Sequence, residues 1–328
     1  MRDSSNLPID PLSDLVDFLQ PKCDLSGRLI AGGCWGHRFS SLDKVKFNAI
    51  TEGGCWYYLN DMTQPRYAEA GDVLVTNGRW ELNLASEVAF IAGATAAPLP
   101  KDESGSYRLG LGNDFAMLGG TVSIDADHRE LLLNGLPSVI HVRGVAPEAE
   151  PLSWLLAQLV KETEDRGRAG NSIMLSRCAE LLFIQSLRAY LAQASAGDDG
   201  WLKGFGDPRL SVVLSCLHSE PFRNWGLEEL ARASSMSRTS LTVRFRELMG
   251  VPPLTYLTRW RMQLAKRVLR SGTSVAKAAD AVGYSSESAF RAAFKRVMGE
   301  APGQYRTRRG DDLRPDVHYS FRSDPLNG

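Results

Sequence analysis

The spacing of hydrophobic positions changes near the middle of the chain. From about Gly27 to Val142, short apolar runs alternate with glycine-rich turns, as in residues 55–59 and 71–75. Short strands at close spacing are typical of an antiparallel sandwich or barrel. After about residue 148, apolar residues recur every three to four positions, which indicates amphipathic helices. The pattern predicts an α+β multidomain fold, with an N-terminal antiparallel β-barrel and helices followed by an all-α C-terminal half.

Three amphipathic helices accompany the predicted barrel. The first covers about residues 10–19, where Asp10 can cap the helix and Pro11 suits its first position. The second covers about residues 148–164 and the third about residues 171–193, each with leucines along one face. Packing onto the barrel is the default for such helices, and a homodimer interface is the alternative.

Composition divides the chain into four segments. Residues 1–193 form the predicted barrel-and-helix domain, and residues 208–310 form the predicted helical domain. The small, polar residues that follow the third helix predict a linker over 194–207. Residues 311–328 have the character of a frayed terminus, so we expect a flexible tail there.

The helical half contains an internal repeat with an offset of 49 residues. Each copy consists of a short helix, a tight turn, a second helix and a terminating Gly-x-x-Pro. Two short helices that bury facing apolar sides across a turn form a helix-turn-helix, so the repeat predicts two of them. The matching positions are Leu241 with Phe290, Phe245 with Phe294, Gly250 with Gly299, and Pro253 with Pro302.

The second helix of each copy is predicted to present its polar face to solvent. Arginine can donate two hydrogen bonds to guanine, a carboxylate can accept one from cytosine, and hydroxyls reach bases or phosphates. These residue types suit DNA, although a solvated polar face is the alternative for any single residue. The candidate DNA-binding residues are Arg238, Thr239, Thr242 and Arg246 in the first copy, and Glu287, Ser288, Arg291 and Lys295 in the second.

The charge of the chain supports DNA binding only when it is resolved along the sequence. The 38 Lys and Arg residues balance the 38 Asp and Glu residues, so the net charge is zero. Residues 208–310 nevertheless hold 18 basic and 7 acidic residues, whereas residues 1–207 hold 18 basic and 27 acidic ones. A basic block attracts a polyanion, because each neutralised phosphate releases a counterion. The basic block and the repeat together predict double-stranded DNA as the partner.

A single helix is predicted over about residues 253–271, between the two copies. Such a helix is a rigid spacer that could place two recognition helices about 34 Å apart, one turn of DNA. One chain could then read two successive segments of the major groove.

The basic half resembles the AraC/XylS family of bacterial transcription regulators. The resemblance covers about 100 residues and implies that the exposed residues of the two second helices, named above, contact bases. It is carried by residues 227–231, 237–250, 256–257, 261–262, 282–286, 290–296 and 299–306.

Two positions depart from the family pattern. Ser235 stands where the first turn often has glycine, so we expect left-handed strain in its backbone. Val243 stands where the first recognition helix often has arginine, so it could touch a thymine methyl group but cannot bond to guanine.

The acidic half resembles the cupin-type sensor domain that precedes some DNA-binding domains of this family. The resemblance implies a small barrel followed by helices, which in many relatives form a site for an effector and for dimerisation. It is carried by residues 11–15, 25–28, 35–39, 70–75 and 131–137.

Aromatic side chains of the predicted barrel are candidates for a ligand pocket or for core packing. Strand alternation places Trp56 and Tyr58 on one face and Tyr57 on the other, so at most one set can point inward. Trp35 and Trp80 are further candidates.

Some barrels of this type are metal enzymes, which require about three converging ligands. His37, His128 and His141 are far apart in the sequence, and Arg79-Trp80-Glu81-Leu82 stands where metal-binding cupins supply histidines. We therefore expect no metal, no cofactor and no catalytic site. The alternatives are a cupin-type metal enzyme, or a thiol-based alkyl-transfer repair protein, fused to a DNA-binding module. A purely architectural DNA binder is a third class, with little preference among sequences.

Cysteine usage bears on the cellular compartment and on redox sensing. Five scattered cysteines are too few for a disulfide framework, which favours a reducing, cytoplasmic setting. Cys23, Cys34 and Cys55 allow a redox-sensor hypothesis, because an exposed thiolate of low pKa oxidises easily. Buried, inert cysteines are the favoured interpretation.

The sequence as a whole predicts a sequence-specific DNA-binding transcription regulator controlled by a small-molecule or redox effector. No apolar run approaches about 18 residues, so we expect no membrane association. We expect a homodimer and contact with RNA polymerase. Activation is the expected outcome, with repression left open, and no effector-binding residues are assigned.

Overall fold

Contacts within the chain divide it into two compact units. The first unit comprises residues 1–215 together with 243–250, and the second unit comprises residues 216–242 together with 251–328. The predicted tail, like residues 194–200 of the predicted linker, lies outside the described residues, and the domain limits inferred from the sequence stay a prediction. The computed structural model describes residues 10–41, 44–124, 133, 135–146, 150–165, 167–193 and 201–306.

The larger sheet of the first unit has six strands within the described residues, and all its pairs are antiparallel except β1 with β8. The parallel pair is the exception, among the described strands, to the antiparallel barrel that the sequence predicted. In spatial order the strands are β10 (Val139–Val142), β6 (Val73–Thr76), β3 (Val45–Glu52), β9 (Phe115–Ser123), β1 (Lys22–Gly32) and β8 (Tyr107–Gly110).

The smaller sheet faces the larger one across a shared apolar core. The core takes Leu29, Ile50 and Met117 from the larger sheet, and Tyr57 and Leu82 from the smaller one. Four antiparallel strands form the smaller sheet within the described residues: β2 (Gly36–Phe39), β7 (Leu82–Ala85), β4 (Gly54–Leu59) and β5 (Arg66–Glu69).

Residue alternation along β4 sorts its aromatic side chains as the sequence predicted. Tyr57 is fully buried and belongs to the core, whereas Trp56 and Tyr58 on the other face are half-buried. Trp35 is also core, with its ring 5.1 Å from that of Phe115. Core packing rather than a ligand wall is therefore the role of Tyr57 and Trp35.

Helices of the first unit begin and end close to the predicted positions. In α1 (Pro11–Leu19), the Asp10 side chain accepts a hydrogen bond from the Leu12 amide at 3.1 Å, which confirms the predicted cap. The two long helices are α2 (Glu150–Glu164) and α3 (Asn171–Gln193). The Ser176 hydroxyl of α3 donates to the Cys23 carbonyl of β1 at 3.0 Å, so α3 packs on the outer face of the larger sheet.

Further helices follow the barrel along the chain. A short 3-10 helix at Trp201–Phe205 buries Leu202 and Phe205. It precedes α4 (Pro208–Ser219), α5 (Leu227–Ala233), α6 (Arg238–Met249), α7 (Pro253–Arg270), α8 (Val275–Ala281) and α9 (Glu287–Met298).

The core of the second unit lies where α7, α8 and α9 meet. Phe290 and Phe294 of α9 are completely buried, and they pack with Met262 of α7 and Ala278 of α8. Tyr305 closes this core, with its ring 5.9 Å from that of Phe294. The predicted apolar faces of the second repeat copy are confirmed.

A polar network holds β10 and the turn before β6 in the first unit. The Asp72 carboxylate contacts His141 Nε2 at 2.7 Å and accepts the Gly144 and Glu69 amides at 2.8 and 3.1 Å. The other ring nitrogen of His141 lies 3.2 Å from the Tyr57 hydroxyl. Burial opposes ionisation of Asp72, but these hydrogen bonds outweigh it and hold the pKa of Asp72 below its usual value.

This network makes the stability of the first unit dependent on pH in the acid range. A carboxylate whose folded pKa is depressed stabilises the fold above its unfolded pKa of about 3.9, and this stabilisation is lost as pH falls through the folded value. We expect Asp72→Asn to lower the free energy of unfolding at pH 7 by about 1–3 kcal/mol, because partners of a buried acceptor lose their bonds.

Urea unfolding of the full chain at a series of pH values measures this effect. The deficit of Asp72→Asn should shrink as pH falls below about 4, where the carboxylate of the unfolded chain binds a proton, and should vanish below the lower folded pKa of Asp72. Asp61→Asn, in an exposed turn, is the matched control and should leave the unfolding curve unchanged. A deficit that stays constant with pH would contradict the assignment.

Candidate nucleic-acid interface

The second helix of the first repeat copy, α6, starts at a serine cap. The Ser237 hydroxyl oxygen accepts the Ser240 amide at 3.1 Å, which ends the turn and starts the helix. Leu241 and Phe245 are completely buried, so the opposite side of the helix faces solvent. Arg238, Thr239 and Arg246 are exposed on that side, as predicted.

Two side chains of α6 limit what the first copy can read. The Thr242 hydroxyl donates to the Arg238 carbonyl at 2.8 Å, so Thr242 offers an acceptor and a methyl group rather than a donor. The Val243 side chain is 50% exposed, which suits contact with a thymine methyl group.

The corresponding helix of the second copy, α9, is capped in the same way. The Ser286 hydroxyl accepts the Ala289 amide at 3.2 Å, and Gly299 ends the helix in a left-handed conformation. With Phe290 and Phe294 buried, the candidate residues Ser288, Arg291 and Lys295 are exposed and Glu287 is half-exposed.

Arg291 and Glu287 form an ion pair one turn apart on this exposed face. Arg291 Nε donates to Glu287 Oε1 at 2.7 Å. The pair restricts the long arginine side chain to the outer face of α9. It contributes little to the stability of the fold, because both groups are solvent-exposed. An arginine held in this way loses less conformational entropy when it binds a base edge.

Several arginines of the basic block have structural partners, which the sequence analysis missed. Arg244 Nε donates to Asp207 Oδ2 at 2.9 Å, while Asp207 Oδ1 caps α4 through the Arg209 and Leu210 amides. Arg261 donates to the Pro221 and Arg223 carbonyls. The position of Asp207 just before a helix that begins with proline could have predicted its role as a cap. Its ion-pair partner Arg244 is 37 residues away, so no local pattern predicts that contact.

The helix between the two copies, α7, has the length of a spacer. Its 18 residues at about 1.5 Å each give roughly 27 Å. Within the second unit, His218 stacks on Trp260 of α7 at 4.3 Å and its Nε2 lies 2.8 Å from the Tyr256 hydroxyl. These contacts attach the end of α4 to the start of α7.

The candidate metal and redox residues do not converge within the described residues. No group of three metal-binding side chains is present there; His37 is buried against Phe39, and His128 lies outside the described residues. Burial raises the pKa of the Cys23 and Cys55 thiols to about 12, which opposes thiolate formation at both. Cys34 is exposed.

Comparisons with known proteins agree with this architecture. A family model described as "Cupin" matches residues 10–192, and one described as "Helix-turn-helix domain" matches residues 230–308. A putative AraC-like transcription regulator of Streptomyces lividans is 38% identical over 91% of this chain and 98% of its own length. One of Streptomyces antibioticus is 36% identical over the same shares, and the HTH-type transcriptional regulator AlkR of Acinetobacter baylyi is 31% identical over 84% and 91%.

Solved structures include similar chains as well. The DNA-binding domain of AdpA, in complex with a target DNA, is 34% identical over 34% of this chain and 98% of that domain, with a TM-score of 0.31. The fold and the relatives define a DNA-binding transcription regulator whose partner is double-stranded DNA. The chain belongs to the AraC family of helix-turn-helix regulators, in the group with an N-terminal cupin domain. No helix among the described residues is both long and apolar enough to span a membrane.

The first turn between paired helices carries the strain that the sequence predicted. Ser235 has a φ of 53°, whereas the second turn places Gly283 at a φ of 79°. A left-handed conformation costs a non-glycine residue about 1 kcal/mol or more. We therefore expect Ser235→Gly to raise the free energy of unfolding by about 0.5–1 kcal/mol, after the greater freedom of glycine in the unfolded chain is subtracted.

Thermal unfolding of the full chain followed by circular dichroism checks this expectation. Ser285→Gly, in the second turn, is the matched control, because Ser285 does not have a positive φ and should lose stability on the same substitution. Equal melting temperatures for the two variants would contradict the strain at Ser235.

Proposed function

We propose that the chain recognises its operator through the exposed faces of α6 and α9, with α7 as the spacer between two major-groove segments. The observation that carries this proposal is the matched burial of Phe245 and of Phe290 with Phe294. This burial turns Arg238, Thr239, Thr242 and Arg246 on α6, and Glu287, Ser288, Arg291 and Lys295 on α9, toward solvent. Phosphate contacts position such helices, and base-edge contacts specify the sequence.

The cupin domain supports a regulatory role that goes beyond DNA binding. We propose that it senses a small-molecule or redox effector and that the protein acts as a homodimeric, cytoplasmic activator in contact with RNA polymerase. An effector can change DNA affinity only through its different affinities for two states of the protein. Catalysis has no part in this proposal, since the relatives are named transcription regulators.

Arg291→Ala tests the base-reading role of α9. If its guanidinium binds a guanine edge, the substitution should cost about 1–3 kcal/mol on the operator and relax specificity at a single base pair. The measurement is a binding titration at fixed salt against the operator and against all single-base variants of it. Arg168→Ala, which removes an exposed, ion-paired charge from the turn before α3, is the matched control and should leave the preferences unchanged.

The way in which the loss of affinity depends on the DNA sequence distinguishes a base contact from a phosphate contact. An equal weakening on every sequence, with a shallower salt dependence, would mark Arg291 as a phosphate contact and remove it from the specificity residues. Glu287→Gln extends the test, because it breaks the ion pair while keeping the arginine.

Exposed apolar side chains on the helices of the cupin domain support the homodimer. Trp154 of α2 is 61% exposed, and Ile173 and Leu181 of α3 are also exposed. Exposed large apolar groups on two helices that pack together are candidates for an association surface. Leu181→Glu should weaken dimerisation by at least about tenfold, since it buries a charge at the interface.

Sedimentation equilibrium of the purified full chain measures the dimer constant. Gln64→Glu adds the same charge in an exposed turn and should leave association unchanged. A wild-type protein that stays monomeric at micromolar concentration, with and without operator DNA, would exclude the dimer.

A further inference from the structure

The interior of the cupin barrel contains a cavity of about 100 Å³. Its wall is mostly apolar, and Trp80 at its edge is partly exposed, so the cavity reaches the surface. An apolar cavity of about 150 Å³ holds benzene, so this smaller one has room for an organic group of fewer atoms than benzene. The apolar lining consists of Leu29, Phe39, Leu82, Leu99, Tyr107 and Met117.

One end of the cavity is polar because of residue alternation on β3. Ile50 of this strand belongs to the barrel core, so Lys46 and Asn48, at even spacing from it, point to the same inner side. Lys46 is paired in register with Thr76 of β6, which also lines the cavity. Three side chains that can donate hydrogen bonds therefore meet at this end.

The donors at this end are poorly satisfied within the protein. The Asn48 side chain is buried, with an exposure of 6%, and its amide nitrogen has no hydrogen-bond partner among the described residues. Among the described residues, the Lys46 ammonium has a single hydrogen bond, a long contact of 3.5 Å to the Ser40 carbonyl. A buried donor without a partner destabilises the protein, and an acceptor on a ligand can recover that free energy.

The described lining of the cavity supplies no charge that compensates the Lys46 ammonium. Among the described residues that line the cavity there is no aspartate or glutamate. Burial, and then the nearby Lys44, lower the pKa of the Lys46 ammonium below its usual value. Both effects disfavour the charged form, and an anion beside the ammonium would oppose both.

Glycine on the neighbouring strand leaves room for a ligand group beside these donors. Gly119 of β9 is in register with Asn48, and a Cβ built on it would lie 3.7 Å from Asn48 Oδ1. Because Gly119 has no side chain, the space beside it in the cavity is empty. This space adjoins both Asn48 and the apolar wall.

We propose that this cavity binds a small carboxylate with a compact apolar body, whose carboxylate accepts from Lys46 and Asn48 while its body lies against Leu29, Leu82 and Met117. The proposal names the effector class for the sensing role proposed above and rests on it. A cationic ligand would be repelled by Lys46. A purely apolar ligand would displace water and leave both donors unpaired, which a polar site penalises strongly.

Calorimetric titration of the full-length protein with matched probes tests the ligand class. Propionate, butyrate and isobutyrate supply the carboxylate, and the amide of each acid is the neutral probe of equal shape. We expect at least one acid to bind about 10–100-fold more tightly than its amide, since the bond to a charged donor is worth about 1.5–3 kcal/mol. Amides or propylamine that bind as tightly, or no acid that binds below about 10 mM, would overturn the proposal.

Variants locate the binding site. Lys46→Met should reduce acid affinity about tenfold or more and bring it near that of the amide, whereas Lys44→Met removes an adjacent charge outside the cavity and should keep binding. Gly119→Val should block the cavity, because its side chain enters the space beside Asn48. Operator binding and melting temperature verify that each variant is folded. Wild-type acid affinity in folded Lys46→Met and Gly119→Val proteins would overturn the site.

Operator affinity measured with and without the acid separates this proposal from the proposed sensing function. Acid binding that changes operator affinity supports both. Acid binding without such a change supports the cavity assignment and contradicts effector control by it. A change in operator affinity caused by a ligand that lacks a carboxylate, with no acid bound, supports sensing and contradicts the assignment.

Discussion

The pairing of β3 with β6 on one side and β9 on the other decides what the cupin barrel can contain. This register fixes which side of β3 points inward, and a slip of one residue would exchange its two faces. As paired, Phe47 fills the outer face, where a Cβ on Gly120 would overlap its ring, and Ile50 joins the core. The same register turns Lys46 and Asn48 inward, so the packing that stabilises the barrel also gives its cavity a polar end.

In the DNA-binding helices, too, the residues that are buried decide which residues face outward, here with the helical period instead of strand alternation. Burying Phe290 and Phe294, four residues apart, requires the residues between them on the opposite side to face solvent. Arg291 lies on that side and is oriented by Glu287, whereas the equivalent position of α6, 49 residues earlier, is Thr242, and its neighbour Val243 is exposed. The two copies therefore share a scaffold but present different chemistry, which is what a reader of two unequal half-sites requires.

Local patterns predicted much of this structure, and distant pairings were the part they could not supply. The Asp10 cap, the two helix-turn-helix faces and the strain at Ser235 depend on neighbours within a few residues. The parallel pairing of β1 with β8, and the bond between Asp72 and His141, join positions about 70–80 residues apart that no local period connects. Lys46 was missed as a cavity residue because a polar side chain at alternate positions of a strand ordinarily indicates a solvent-facing side.

The number of basic residues can be read from the sequence, whereas the role of each one is known only from the structure. The 18 basic residues of 208–310 correctly indicated DNA, but they are not equivalent. Arg244 holds the cap of α4 through Asp207, and Arg261 holds carbonyls of the turn before α5, so replacing either would disturb the fold before it altered base contacts. Arg238, Arg246, Arg291 and Lys295 are exposed on the outer faces of their helices. The long-range field that attracts DNA comes from all the charges together, whereas discrimination among sequences depends on the few side chains that the buried phenylalanines turn outward.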